Sequence, residues 1–112
     1  MAYTSKVTFL SSAARTTSGA SGELNLGYGD EILVFLDVTD VSGTSPTLDV
    51  KVQTKGPDGK WYDIATFAQK TAVGSEAKAI TNYGEILKVV YTIDGTTPSF
   101  TFSVTGVVKT RG

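Results

Sequence analysis

Gly43-Thr44-Ser45-Pro46-Thr47-Leu48-Asp49-Val50-Lys51-Val52 and Gly95-Thr96-Thr97-Pro98-Ser99-Phe100-Thr101-Phe102-Ser103-Val104 decide the fold class. Both run Gly-Thr-hydroxyl-Pro-hydroxyl and then place apolar residues at alternate positions. Alternation with period two is the pattern of a half-buried β-strand. Each copy follows a long apolar stretch that opens Glu-Ile-Leu, at Glu31-Ile32-Leu33 and Glu85-Ile86-Leu87. Each of those stretches closes near an aspartate, Asp40 and Asp94, and the first copy carries two extra residues before its turn. Glycine before threonine lets a chain reverse. Proline opens a strand where a missing N–H costs little. The unit therefore reads as strand–turn–strand, used twice. Chance reuse of turn chemistry is the alternative, but turn, strand entry and alternation all agree. Two such hairpins facing each other from opposing sheets, about a rough twofold, would set Leu48, Val50 and Val52 opposite Phe100, Phe102 and Val104.

Outward from this repeat the chain stays strand-like. Tyr3 to Ser11 alternates around Val7 and Phe9, and Glu23 to Tyr28 places Leu24 and Leu26 on one face. Lys60 to Gln69 follows Gly56-Pro57-Asp58-Gly59, a tight-turn sequence. Glu76 to Thr81 reads as a weak strand or extended loop. Glu31 to Val41 is a long apolar run expected to be buried on both sides for part of its length. Together with it, Thr47 to Thr54, Glu85 to Asp94 and Ser99 to Lys109 bring the count to seven or eight strands. No window repeats apolar residues at helical spacing with caps. The expected fold is all-β, an antiparallel two-sheet sandwich of jelly-roll or immunoglobulin-like connectivity. One domain spans residues 1–112, with residues 1–22 as a candidate N-terminal arm.

Composition narrows the function classes. The chain is 40% hydrophobic and 19% charged, with ten basic and eleven acidic residues. That balance gives no electrostatic case for nucleic acid or for an anionic membrane surface. No apolar run approaches the ~20 residues that span a bilayer. The chain has no cysteine and no histidine. Thiolate chemistry, disulfides, zinc–thiolate sites and a Ser-His-Asp arrangement are therefore excluded. Lys6, then Val7-Thr8-Phe9-Leu10, then Ser12-Ala13-Ala14 superficially resembles a secretion signal, but its apolar stretch is too short and is interrupted. It reads as a first strand.

The candidate sites are few. Trp61 and Tyr62, next to the Asp58-Gly59 turn, and Tyr83 are the aromatics that could stack on a sugar if exposed in a row. The alternative is that Trp61 plugs the core with its N–H satisfied at the rim. Asp58 with Asp63, or Asp37 with Asp40, lacks the ligand density that calcium requires, so turn and surface roles are expected. Asp30 and Glu31 are adjacent and point to opposite faces of a strand, so they form no catalytic carboxylate pair. Gly27-Tyr28-Gly29 matches no phosphate-binding fingerprint. No catalytic, metal-binding or cofactor-binding residue is expected, and the chain reads as non-enzymatic. Arg15, Lys6, Lys109 and Arg111 read as solvated residues near the termini. Tyr3, Val7 and Phe9 form a candidate oligomer arm that either adds a strand to a neighbour or completes its own sheet. Thr16 to Gly22 would serve it as a flexible tether.

Asp40-Val41-Ser42-Gly43-Thr44-Ser45-Pro46-Thr47-Leu48-Asp49-Val50 resembles a recurring element of small β-sandwich structural proteins of tailed bacteriophages. So does Asp58-Gly59-Lys60-Trp61-Tyr62-Asp63-Ile64-Ala65-Thr66-Phe67, and so does Leu87-Lys88-Val89-Val90-Tyr91. The resemblance covers about two thirds of the chain, Val38 to Lys109, and contributes nothing for residues 1–30. It implies a non-enzymatic virion component, first a head-decoration protein and second a tail-associated one. It implies a homotrimer that contacts the major capsid protein or another virion protein. It implies synthesis in the host cytoplasm and residence in the virion. A carbohydrate-binding module is the alternative from a different class.

Overall fold

In a computed structural model describing residues 2–111, the two repeat copies lie inside two very long strands. In chain order the strands are β1 (Ala2–Arg15), β2 (Gly19–Ala20), β3 (Leu24–Asn25), β4 (Glu31–Lys55), β5 (Trp61–Thr66), β6 (Gly74–Ile80) and β7 (Ile86–Arg111). There is no helix among the described residues. The order along the sheet is β1-β7-β4-β5, with β2 and β3 paired to β7 and β6 paired to β4. Every pairing is antiparallel. The all-β antiparallel expectation holds, but all seven strands belong to one continuous, curled, hydrogen-bonded sheet.

The repeat is real and its expected placement is corrected. Instead of closing two hairpins, the copies pair with each other. Thr44 lies opposite Thr96, its own repeat equivalent. The operation that carries Gly43 onto Gly95 also exchanges the pair Ser42–Ser99 with the pair Asp94–Thr47, and Val41–Phe100 with Ile93–Leu48. A local twofold therefore passes between Thr44 and Thr96. Backbone angles obey it too: Gly43 has φ +110° and Gly95 +127°, while Ser45 has +49° and Thr97 +50°. Two left-handed residues flanking one ordinary residue bend each strand without reversing it. The ladder breaks there and then resumes with the same partner, so few backbone groups lose their bonds.

Close crossing explains the glycines. A Cβ on Gly43 would lie 2.7 Å from the Thr97 carbonyl oxygen and 2.8 Å from Pro98 Cα. A Cβ on Gly95 would lie 2.9 Å from Pro46 Cα and 3.0 Å from the Ser45 oxygen. Neither neighbour is a flexible side-chain end that can move aside.

Burial follows the pleat on both sides of the bend. Ile32, Val34, Leu36 and Val38 are buried before it in β4, and Leu48, Val50 and Val52 after it. In β7, Leu87, Val89 and Ile93 precede the bend and Phe100, Phe102, Val104 and Val108 follow it. All belong to one core cluster. The six residues expected opposite one another thus share a core, although each is hydrogen-bond paired elsewhere: Leu48 to Ile93, and Phe102 to Val38. No polar or charged residue is buried among the described residues.

Of the two readings of the N-terminal segment, the structure shows the one in which the strand completes its own sheet. β1 pairs with β7 of its own chain from Ala2–Arg111 to Arg15–Phe100. Thr16 to Gly22 is not a free tether: β2 within it pairs Gly19 with Tyr91 and Ala20 with Val90. The Ser18 and Ser21 hydroxyls accept from the Ile93 and Val89 N–H groups at 2.9 and 2.8 Å. Serine side chains thus replace ladder bonds that so short a strand cannot supply. Gly19 is required because a Cβ there would meet the Tyr91 hydroxyl at 2.7 Å.

Candidate functional site

The aromatic candidates differ in exposure: Tyr62 is exposed, whereas Trp61 and Tyr83 are half-buried. The turn before β5 is closed by Gly59 N–H donating to the Gly56 carbonyl (3.0 Å) and by Gly56 N–H donating to Lys60 (2.8 Å). Gly59 takes φ +84°. Asp58 Oδ1 accepts from Lys60 N–H at 3.0 Å, and its Oδ2 accepts from the Tyr62 hydroxyl at 2.5 Å. The Tyr62 hydroxyl, then the Lys60 N–H, holds the Asp58 carboxyl below the usual carboxylate range. The same bond raises the Tyr62 phenol. Asp58 is therefore committed to the turn, and Tyr62, though exposed, is tied to it.

Trp61 lies on the opposite pleat from Tyr62. Its ring is covered by the Lys88 ammonium at 4.2 Å, with Lys55 at 5.9 Å. These cation–π contacts give the Trp61 ring partners within its own chain. Asp63 accepts from Gln53 at 2.8 Å and Lys51 at 3.3 Å, and the Gln53 bond leads in lowering its pKa. Asp58 and Asp63 thus serve different partners. Asp37 accepts from the Ser75 hydroxyl at 2.8 Å and Asp40 from the Val41 N–H at 3.0 Å. Among the described residues no group of three or more His, Cys, Asp or Glu is placed to hold a metal ion.

Tyr83 is not presented to solvent as an open platform. Its hydroxyl donates to the Leu26 carbonyl at 2.8 Å and its ring packs on the core. Burial raises its phenol pKa, with Tyr28 and Asp30 adding to the effect. It pins the segment Leu26 to Asp30 against the end of the sheet.

The arm candidates divide by pleat and position. Phe9 is 7% exposed and belongs to the core. Val7 packs on that core from partial burial. Tyr3, 58% exposed, stands near the open end of β1.

Arg15 corrects the expectation of a solvated terminal charge. Its guanidinium lies over Phe102 at 4.7 Å and Tyr91 at 5.8 Å. It donates to the carbonyls of Phe102 and Ser11 at 2.8 Å and of Ala13 at 3.2 Å. It clamps the bulged end of β1, where the register shifts between Thr8 and Ala13. No spacing rule in the sequence signals this, because the partners lie far along the chain. Lys6 and Lys109 are exposed as expected, and the Arg111 side chain lies outside the described part.

The outer face of β4 carries one exposed aromatic. On the outer face, Phe35 is 37% exposed and borders a shallow depression with Ala77, Ser103 and Thr105. This corrects the expected two-sided burial of Glu31 to Val41, since only the face carrying Ile32, Val34, Leu36 and Val38 is buried.

No family model and no curated protein matches the sequence. The fold does match solved structures. The SPBc2 prophage-derived protein YomS superposes with a TM-score of 0.58 at 18% identity, over 98% of this chain and 96% of that one. VP2 of the infectious bursal disease virus subviral particle superposes with a TM-score of 0.64 at 13% identity. That match covers 99% of this chain, which spans about a third (33%) of the VP2 chain. A Bacillus endospore appendage subunit of disulfide-linked pili gives 0.58 at 14%, over 97% and 87%. At these identities the likeness is one of fold: an all-β architecture shared with a prophage-derived protein, a viral capsid protein and a pilus subunit.

Proposed function

We propose that this chain is a non-enzymatic structural component of a phage particle, with head decoration as the first placement and tail association as the second. The observation that carries the reading is the end-to-end match to a prophage-derived protein of similar extent, alongside the match to a viral capsid protein. The sequence resemblance to tailed-phage structural proteins points the same way. We read the curled sheet as two layers of jelly-roll type. A short axis of 19 Å and one shared core support this, since stacked sheets lie ~10 Å apart.

The surface chemistry fits such a role. Its candidate acids are engaged by turn, strand or neighbouring side chains. Trp61, the candidate for stacking on a glycan, carries the Lys88 ammonium over its ring. The test is quantitative mass spectrometry of gradient-purified particles from the source strain. A copy number comparable with the major capsid protein supports head decoration, and a few copies per particle support the tail. Absence from intact particles, with the chain present in the cell extract, overturns the proposal.

A further inference from the structure

An antiparallel sheet that does not close has edges, and unpaired edges recruit other strands unless something blocks them. Three of the edges here are blocked. β2 and β3 are two residues each. β5 has six residues and a register break opposite Val52–Gln53. β6 places Glu76 and Lys78 on the same pleat face as buried Ile80, toward the core. Glu76 there holds Lys70 at 2.5 Å and Lys78 at 3.8 Å. Inward charges of this kind penalise a strand added alongside.

β1 is different. From Ala2–Arg111 to Thr8–Thr105 it pairs with β7 without a bulge. This stretch contains no proline and one charge, Lys6. Alternate residues of it direct N–H and C=O away from β7. Among the described residues no other strand takes up those groups.

We infer that β1 pairs antiparallel with β1 of a second copy of this chain, about a twofold axis at Ser5. The inference rests on the reading of the chain as an assembling structural protein, and it names the assembly surface. Ser5 is the centre of the unbulged stretch. In that register Ser5 faces its own equivalent, Tyr3 faces Val7, and Thr4 faces Lys6. The two lysines are kept apart. Tyr3, 58% exposed in the single chain, gains a β-branched neighbour of the kind that stabilises cross-strand pairs. The contact is isologous and closes at two copies, so it does not build the trimer that the family resemblance implies.

The absence of cysteine makes the test direct. In the paired register the two Ser5 Cα atoms lie ~4.5–5.5 Å apart, within disulfide range. The two Thr8 Cα atoms lie about 20 Å apart. The full chain is followed by light scattering on a sizing column across a dilution series. Ser5→Cys and Thr8→Cys are oxidised under the same mild conditions. The wild type is expected at twice the mass of one chain, with Ser5→Cys linked into covalent dimers and Thr8→Cys left unlinked. Ser5→Lys, which sets two like charges face to face, shifts the mass to one chain while leaving its circular dichroism unchanged. A monomer at all concentrations, or equal linking at the two positions, overturns the inference. A stable trimer also overturns it but leaves the particle reading intact, because that reading fails only if the chain is missing from particles.

Discussion

Replacing Gly95 by alanine tests the strand crossing at its tightest point. Two costs add. Alanine at φ +127° is strained by ~1–3 kcal/mol. Its Cβ would also stand 2.9 Å from Pro46 Cα and 3.0 Å from the Ser45 oxygen, an overpacking worth ~1–3 kcal/mol. Alanine returns ~0.4–1 kcal/mol by restricting the unfolded chain. The net loss is about 3 kcal/mol, or roughly 12 °C in Tm for a domain of this size. Gly43→Ala should cost the same within about 1 kcal/mol, because its contacts with Thr97 and Pro98 mirror those of Gly95. Gly59→Ala is the control. Gly59 also has positive φ, +84°, but nothing lies within 4 Å of its added Cβ, so only about 1 kcal/mol is expected. Urea unfolding at constant m-value reads all three. If Gly95→Ala loses no more than Gly59→Ala, the crossing is not packed as described. If Gly43→Ala and Gly95→Ala differ by several kcal/mol, the local twofold fails.

Arg15→Ala should lower stability by about 1–2 kcal/mol and speed amide exchange across Phe9 to Arg15. Arg15→Lys should not restore protection, since an ammonium cannot reproduce the guanidinium's planar fork over Phe102. Ser21→Ala leaves the Val89 N–H without its side-chain acceptor and should cost about 1–2 kcal/mol, with faster exchange at Val89 as the local readout. Glu76 has its folded pKa lowered, first by its bond to Lys70. Its stabilising contribution is therefore full above the unfolded glutamate range, ~4.3, and is lost as pH falls through the lower folded value. Glu76→Gln should flatten the stability profile in that acidic window, and an unchanged slope would remove Glu76 from the account.

Local pattern carried most of the strand content. The alternation of Leu48, Val50, Val52 and of Phe100, Phe102, Val104 gave the core face, and the shared Gly-Thr-x-Pro gave the repeat. The pairing of the two copies was not legible. A Gly-Thr-Ser-Pro stretch is compatible with a reversal or with a bend, and only the partner strand decides between them. Likewise, Ser18 and Ser21 read as linker residues because their acceptors act on Ile93 and Val89, far along the chain. Arg15 was lost for the same reason. The turn role of Asp58 was legible, because Asp-Gly chemistry is local. The fate of Trp61 was not: its covering lysine comes from β7.

Whether this chain is built into a phage particle is read from its location on the particle. Particles from the source strain, labelled with gold-conjugated antibody raised against the folded domain, would be imaged by electron microscopy. Gold is expected at many sites over the head shell, or, on the second placement, confined to the tail. Intact particles that carry no gold, under conditions where the antibody detects the free chain, would contradict it.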